Sequence, residues 1–136
     1  MDSMRVARTY FEAWNRRDSA KIVAIFADGG TYIDPASGGM LAGDKIGQYA
    51  SALFAAFPDL TFEIVTAGPV GENMVAAQWM MRGTHTGSLF GEPPTGRNIA
   101  LPGADFIAVE GDRIRSVRGY FDQKDIADQL GFQDAH

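Results

Sequence analysis

Cysteine is absent from this 136-residue chain, which removes disulfides, thiol nucleophiles and thiolate metal ligands together. Histidine is almost absent too: His85 falls inside the patterned part of the chain, and the other is the last residue, His136. One imidazole without cysteine cannot assemble a typical transition-metal site, and the carboxylates form no clustered motif, so no metal is expected. The isolated glycines make no phosphate-binding loop behind a strand and no Ser-His-Asp arrangement can be drawn, so no cofactor is expected either. Basic charge is scarce and dispersed. With a formal net charge of −5 there is no positive footprint for a phosphate backbone, which argues against nucleic acid as a partner. Long apolar runs are lacking as well: none approaches the roughly 20 residues a membrane helix needs. Asp2, Arg5 and Arg8 interrupt any signal-peptide core, so no membrane partner is expected and the cytoplasm is the expected compartment.

What the chain does contain is the composition of an ordinary globular protein at the size of one domain, residues 1–136. Val6, Tyr10, Ala13 and Trp14 recur on one face of a first helix. Asp18 or Ser19 caps a short second helix with Ile22, Val23 and Phe26 inward, and Ala27-Asp-Gly-Gly30 stops it. Thr31 to Asp34 reads as a brief strand ended by Pro35. Asp44 caps a third helix carrying Ile46, Tyr49, Ala50, Leu53 and Phe57, which Pro58 terminates. Strands follow at Leu60–Thr66, Met74–Arg82, about Ile99–Glu110 and Arg113–Phe121, the last two joined by a tight turn through Gly111. Pro93 and Pro94 force a turning connection between the middle two. A short last helix holds Ile126, Ala127 and Leu130 and closes at Gly131.

Helices first and antiparallel strands after them predict an α+β cone, with helices packed on a strongly curved, mainly antiparallel sheet that encloses an apolar pocket. Trp14, Phe54, Phe57, Trp79, Phe106 and Phe121 are the aromatics expected to line it.

Gly83-Thr-His-Thr-Gly87, Pro93-Pro-Thr-Gly96 and a final hairpin ending in Asp122, with Gln129-Leu-Gly131 behind it, resemble the SnoaL-like polyketide cyclases of the nuclear transport factor 2-like superfamily. That resemblance implies intramolecular aldol ring closure without a cofactor, with Asp122 as the acid/base aspartate. A second resemblance, to the bacterial ketosteroid isomerases, rests on Tyr10-Phe-Glu-Ala-Trp-Asn15, Asp34-Pro35 and Ser116 to Ile126. It implies Tyr10 as oxyanion donor and Asp34 as the proton-shuttling base. Those isomerases carry a protonated carboxyl as second donor; aligning Pro102 and Phe106 puts that position on Ala104, with Asp105 on the opposite face of the strand.

Carbon-acid chemistry needs a base in a dry pocket and a donor near the carbonyl oxygen, so Asp34 with Tyr10 suffices in principle. Strand parity puts Asp122 on the side opposite Val117, Gly119 and Phe121, where it could cap the last helix. His85 could assist proton transfer or hold the glycine-rich connection in place. The expected function is acid/base catalysis on a small hydrophobic carbonyl substrate, ring closure first and isomerisation or simple ligand binding as alternatives. The strand face Ala76, Gln78, Met80, Arg82 and Thr84 mixes apolar and polar residues as a homodimer interface does.

Overall fold

The computed structural model describes residues 2–132, so His136 lies outside them. Asp2 starts the first helix: its carboxylate accepts the Met4 N–H at 3.0 Å, and α1 runs Ser3–Asn15 with Val6, Ala7, Tyr10, Phe11, Ala13 and Trp14 buried. Asp18 caps α2 (Ser19–Ile25) by accepting from the Lys21 N–H at 3.0 Å. That helix ends one residue earlier than its apolar spacing predicts. Phe26 opens β1 (Phe26–Ile33), which runs on through the glycine pair instead of stopping there. A bulge makes this possible, because the register against the neighbouring strand slips between Phe26 and Thr31.

A two-residue strand that the sequence reading lacked, β2 (Leu41–Ala42), pairs with β1. The third helix, α3 (Asp44–Ala56), is capped by Gly43 without a side-chain bond, so Asp44 is its first residue and acts only through its charge at the helix N-terminus. Then come β3 (Thr61–Pro69), β4 (Met74–Thr84), β5 (Asn98–Glu110), β6 (Arg113–Phe121) and α4 (Gln123–Leu130). The six strands form one sheet in the order β2-β1-β6-β5-β4-β3. Only β1 and β6 are parallel; every other pair is antiparallel. The sheet curls around the helices, giving the expected α+β architecture. Among the described residues no helix is long and apolar enough to cross a membrane.

Alternation along the two longest strands decides which side chains enter the concave side. On β4 the buried row is Val75, Ala77, Trp79 and Met81, and on β5 it contains Ile99, Leu101, Asp105 and Ile107. Phe106, expected in the pocket, therefore stands on the outer face, 38% exposed and edge-on to Tyr120 at 5.9 Å. Asp105 takes the inward place, the reverse of the parity inferred from aligning Pro102 and Phe106.

At the end of β6, Asp122 caps α4: its Oδ1 accepts the Lys124 and Asp125 N–H groups at 2.8 and 3.2 Å. Asp122→Ala is expected to cost about 1 kcal/mol, as cap removal does. Thermal unfolding checks this, and a turnover loss beyond the change in folded fraction would show a role other than capping.

Candidate active site

The site begins where β1 runs out. Tyr32 and Asp34 are two residues apart in extended chain, so their side chains share a face. The Tyr32 hydroxyl donates to Asp34 Oδ2 at 2.5 Å. From α3, the Tyr49 hydroxyl donates across both carboxylate oxygens, at 2.9 and 2.8 Å. Pro35 turns the chain, and the Ala36 N–H closes onto Asp34 Oδ1 at 2.7 Å, an Asx-type turn. Asp34 is thus a turn residue and a cavity residue together. A carboxylate offers about four lone-pair positions, and three donors, with Tyr49 bridging both oxygens, engage this one from two sides and fix its orientation.

Across the sheet, Asp34 follows Ile33, which pairs with Arg118, and so comes to lie beside Gly119; Gly119 in turn pairs with Asp105. The order across three strands is carboxyl, glycine, carboxyl, a span of roughly 10 Å between the outer backbones at the usual strand spacing. A Cβ at Gly119 would stand 2.9 Å from Asp105 Oδ1 and 3.2 Å from Asp34 Cβ. Glycine is therefore what keeps the space between the carboxyls open. One pair further along, Gly103 faces Trp79, and a Cβ there would meet the indole ring at 2.2 Å. The ring lies flat over that glycine.

Burial sets the protonation states. Asp105, 6% exposed, has its pKa pushed up to about 7, first by loss of water and then by the charge of Asp34. The Trp79 indole opposes the rise, yet its Nε1–H completes no hydrogen bond of ordinary geometry. Tyr10 is held well above the usual phenol range by burial and then by Asp105, so its hydroxyl stays protonated; Trp14 is near but leaves it without a hydrogen-bond partner. Tyr32 and Tyr49 are raised by burial and then by Asp34. The cavity consequently joins one hydrogen-bonded carboxylate to a set of donors that lack an acceptor: Tyr10 O–H, Trp79 N–H and, below its pKa, the Asp105 carboxyl.

Of the residues singled out from sequence, Tyr10, Trp14, Asp34, Phe57, Trp79 and Phe121 line this cavity. Phe54 stands behind the wall, edge-on to Trp14 at 5.4 Å. Phe106 is outside, and Asp122 is exposed at its cap. His85 is fully buried away from the cavity wall, its Nδ1 taking the Thr95 N–H at 3.2 Å and its ring packed on Phe57 and Phe132. It fastens the base of the β4–β5 connection. From that connection Leu89 and Phe90 reach the cavity mouth, Phe90 stacked on Tyr49 with ring centroids 6.1 Å apart.

Asp105, Tyr32, Tyr49 and Phe90 are among the lining residues that sequence reasoning missed. For Asp105 a signal existed: the odd positions Ile99, Leu101, Gly103, Ile107 and Val109 form an apolar row, and an aspartate within such a row is a buried one. Tyr49 was placed on the inner face of its helix, but nothing in the spacing tied it to Asp34. Among the described residues no three histidine, aspartate or glutamate side chains gather closely enough to hold a metal ion.

A family model described as SnoaL-like polyketide cyclase matches residues 4–130. No curated protein matches the chain in sequence. Solved structures similar in fold include a candidate SnoaL-like polyketide cyclase from Jannaschia sp. CCS1, 16% identical with TM-score 0.85 over 97% of this chain and 93% of that one. A candidate polyketide cyclase from Xanthomonas campestris pv. campestris is 20% identical, with TM-score 0.84 over 94% and 96%. A protein with ketosteroid isomerase-like fold from Catenulispora acidiphila, solved with trimethylamine, is 22% identical, with TM-score 0.81 over 94% and 93%.

Proposed function

We propose, from the premise that this chain belongs to the SnoaL-like polyketide cyclase family, that it moves a proton at a carbon beside a carbonyl group of a small hydrophobic compound, without a cofactor. The observation that carries this reading is the pairing of unlike carboxyls on one cavity floor: Asp34, accepting from the Tyr32 and Tyr49 hydroxyls, and Asp105, buried and mainly protonated below about pH 7. A buried carboxyl that keeps its proton beside a second one held by hydroxyl donors divides the acid and base roles. Asp34 takes the α-proton, while Asp105 and Tyr10 donate to the carbonyl oxygen as it becomes an enolate oxygen. In the family's ring closure the enolate carbon then bonds to a second carbonyl carbon of the same molecule, and the proton held by Asp34 ends on the new hydroxyl.

Asp105 favours a second outcome of the same first step. With Asp34, Tyr10 and a neutral carboxyl all present, the cavity holds the set of groups that a ketosteroid-type isomerase uses. There the proton returns to a different carbon, and the double bond moves.

Size bears on the substrate. The cavity is about 60 Å3, small against the roughly 300–1,000 Å3 of pockets for drug-sized ligands. A polycyclic compound needs more room than this, and Phe90 is the most exposed residue at the cavity mouth. Phe90 is 58% exposed and holds a left-handed backbone at φ 47°, a conformation a bulky side chain adopts at a cost.

Exchange of the α-protons of hydrophobic cyclic ketones with deuterated solvent tests the reading without the true substrate, since both outcomes pass through an enol. Wild type is expected to exceed buffer, and Tyr10→Phe to lose roughly 10²–10³-fold with the ligand still bound. Ketones that bind but exchange no faster than in buffer would leave a ligand carrier.

We further propose that two copies pair through the outer sheet face. Ala76, Gln78, Met80, Arg82 and Thr84 lie there, and the register sets Ala76 beside the exposed Phe106. Aromatic residues among mixed polar ones suit an interface. Sedimentation at micromolar concentration is expected to show a dimer, and a lone 14.7 kDa species would end this proposal.

A further inference from the structure

A buried polar hydrogen with no acceptor is costly, on the order of 1–3 kcal/mol, and native interiors contain few of them. Among the described residues three buried side-chain atoms lack a partner: Tyr10 Oη, Trp79 Nε1 and His85 Nε2. His85 is packed against Phe57 and Phe132, away from the cavity. The other two line the cavity, and Asp105 is the neighbour they share, since its charge acts on Tyr10 and the Trp79 indole acts on it.

Trp79 is also seated deliberately by its surroundings. Its ring occupies the volume that any side chain at Gly103 would fill, with a Cβ falling 2.2 to 2.6 Å from the edge of the six-membered ring. Phe62 closes the other side edge-on, with centroids 5.0 Å apart. The indole is thus clamped between a bare backbone and an aromatic ring, a fixed donor turned toward Asp105 without completing a hydrogen bond of ordinary geometry to it. Indole is a donor only, so what completes it must bring an acceptor oxygen.

We propose that Trp79 is a ligand-binding residue, its Nε1–H donating to the carbonyl or phenolic oxygen of the planar compound held between Asp34 and Asp105. This rests on the proposed function and extends it, giving the ligand oxygen a third donor beside Tyr10 and Asp105. A donor that neither titrates nor rotates would hold that oxygen in the same place before and after proton transfer.

The experiment uses 2-naphthol as probe and the two indole N–H resonances of the full chain, with Trp79→Phe identifying which belongs to Trp79. On titration of wild type the Trp79 resonance is expected to move downfield, and more than that of Trp14. Trp79→Phe, which keeps an aromatic ring and deletes the donor, is expected to bind naphthol about 10-fold more weakly, the value of one hydrogen bond. If that variant unfolds, Trp14→Phe assigns the same two resonances, and the wild-type titration still decides the matter. Naphthol that binds with the indole resonance unmoved, or that does not bind at all, overturns the proposal. The two readings fail separately: a shifted indole without ketone exchange removes the catalysis and leaves the donor, whereas ketone exchange equal in wild type and Trp79→Phe removes the donor and leaves the catalysis.

Discussion

Asp34→Asn is expected to lower turnover by roughly 10²–10⁴-fold, the contribution of one positioned acid/base group, while leaving ligand affinity nearly unchanged. The replacement is isosteric, and its carbonyl oxygen can still accept from Tyr32 or Tyr49, so the loss reads the missing base rather than a collapsed site. Asp105 responds differently because its role is to donate. Asp105→Asn keeps N–H donors, so its loss should be smaller than that of Asp105→Ala, which removes the donor altogether. The pH profile supplies the sign. Below about pH 7 Asp105 carries its proton and donates; as pH rises through that value it becomes a second anion beside the developing enolate, and kcat/KM falls. Asp105→Asn cannot ionise, so its profile should lack this alkaline limb. A reversal, with Asp105→Asn losing the larger factor and Asp34→Asn little, would make Asp105 the proton carrier and Asp34 its fixed counter-charge.

Architecture was legible in this sequence because it is written in repeated, local signals. The helix-1 stripe from Val6 to Trp14, the prolines after Asp34 and Phe57, and the Gly111 turn each report on their own neighbourhood. The errors arose where a long-range choice overrode a local one. Glycines 29 and 30 read as a helix stop, but pairing with β6 absorbed them as a bulge. Aligning Pro102 and Phe106 with the isomerases put Ala104 and Phe106 on the inner face, and that parity turned the whole of β5 over and expelled Asp105. A period of two leaves no compromise: one residue on the wrong face puts every neighbour there too. The apolar row from Ile99 to Val109 outweighs one phenylalanine.

The site was half legible for a related reason. Asp34 and Tyr10 stand in recognisable local strings, whereas the groups that complete them come from elsewhere in the chain. Tyr49 reaches Asp34 from α3, and Gly119 separates the carboxyls only once β6 lies between β1 and β5. Asp122 shows the converse. Its string resembles a catalytic one, and the same position, at a strand end before a helix, is where a cap is needed.

Asp105→Asn is also expected to stabilise the protein, and by an amount that depends on pH. In the unfolded chain this carboxyl titrates near the ordinary aspartate value of 3.8, and in the folded protein burial raises it to about 7. The folded state therefore binds the proton more tightly, and the stability linked to it is complete below about pH 4 and lost as pH rises to about 7. Three pKa units at 1.36 kcal/mol each put that loss at roughly 4 kcal/mol, a large share of the roughly 5–15 kcal/mol that holds a domain together. Asparagine fills the same volume and never charges. Wild type should thus lose stability between pH 4 and pH 7 relative to Asp105→Asn, and the variant's advantage should level off above pH 7. Denaturant unfolding of both proteins at pH 4.5, 6 and 8 measures the difference. Equal stability gaps at the three pH values would show that Asp105 titrates as an ordinary aspartate, and with that the neutral donor would be lost from the mechanism. A gap that widens with pH, in a variant slower than wild type, would mean that the buried carboxyl is kept at the expense of stability for the proton it holds.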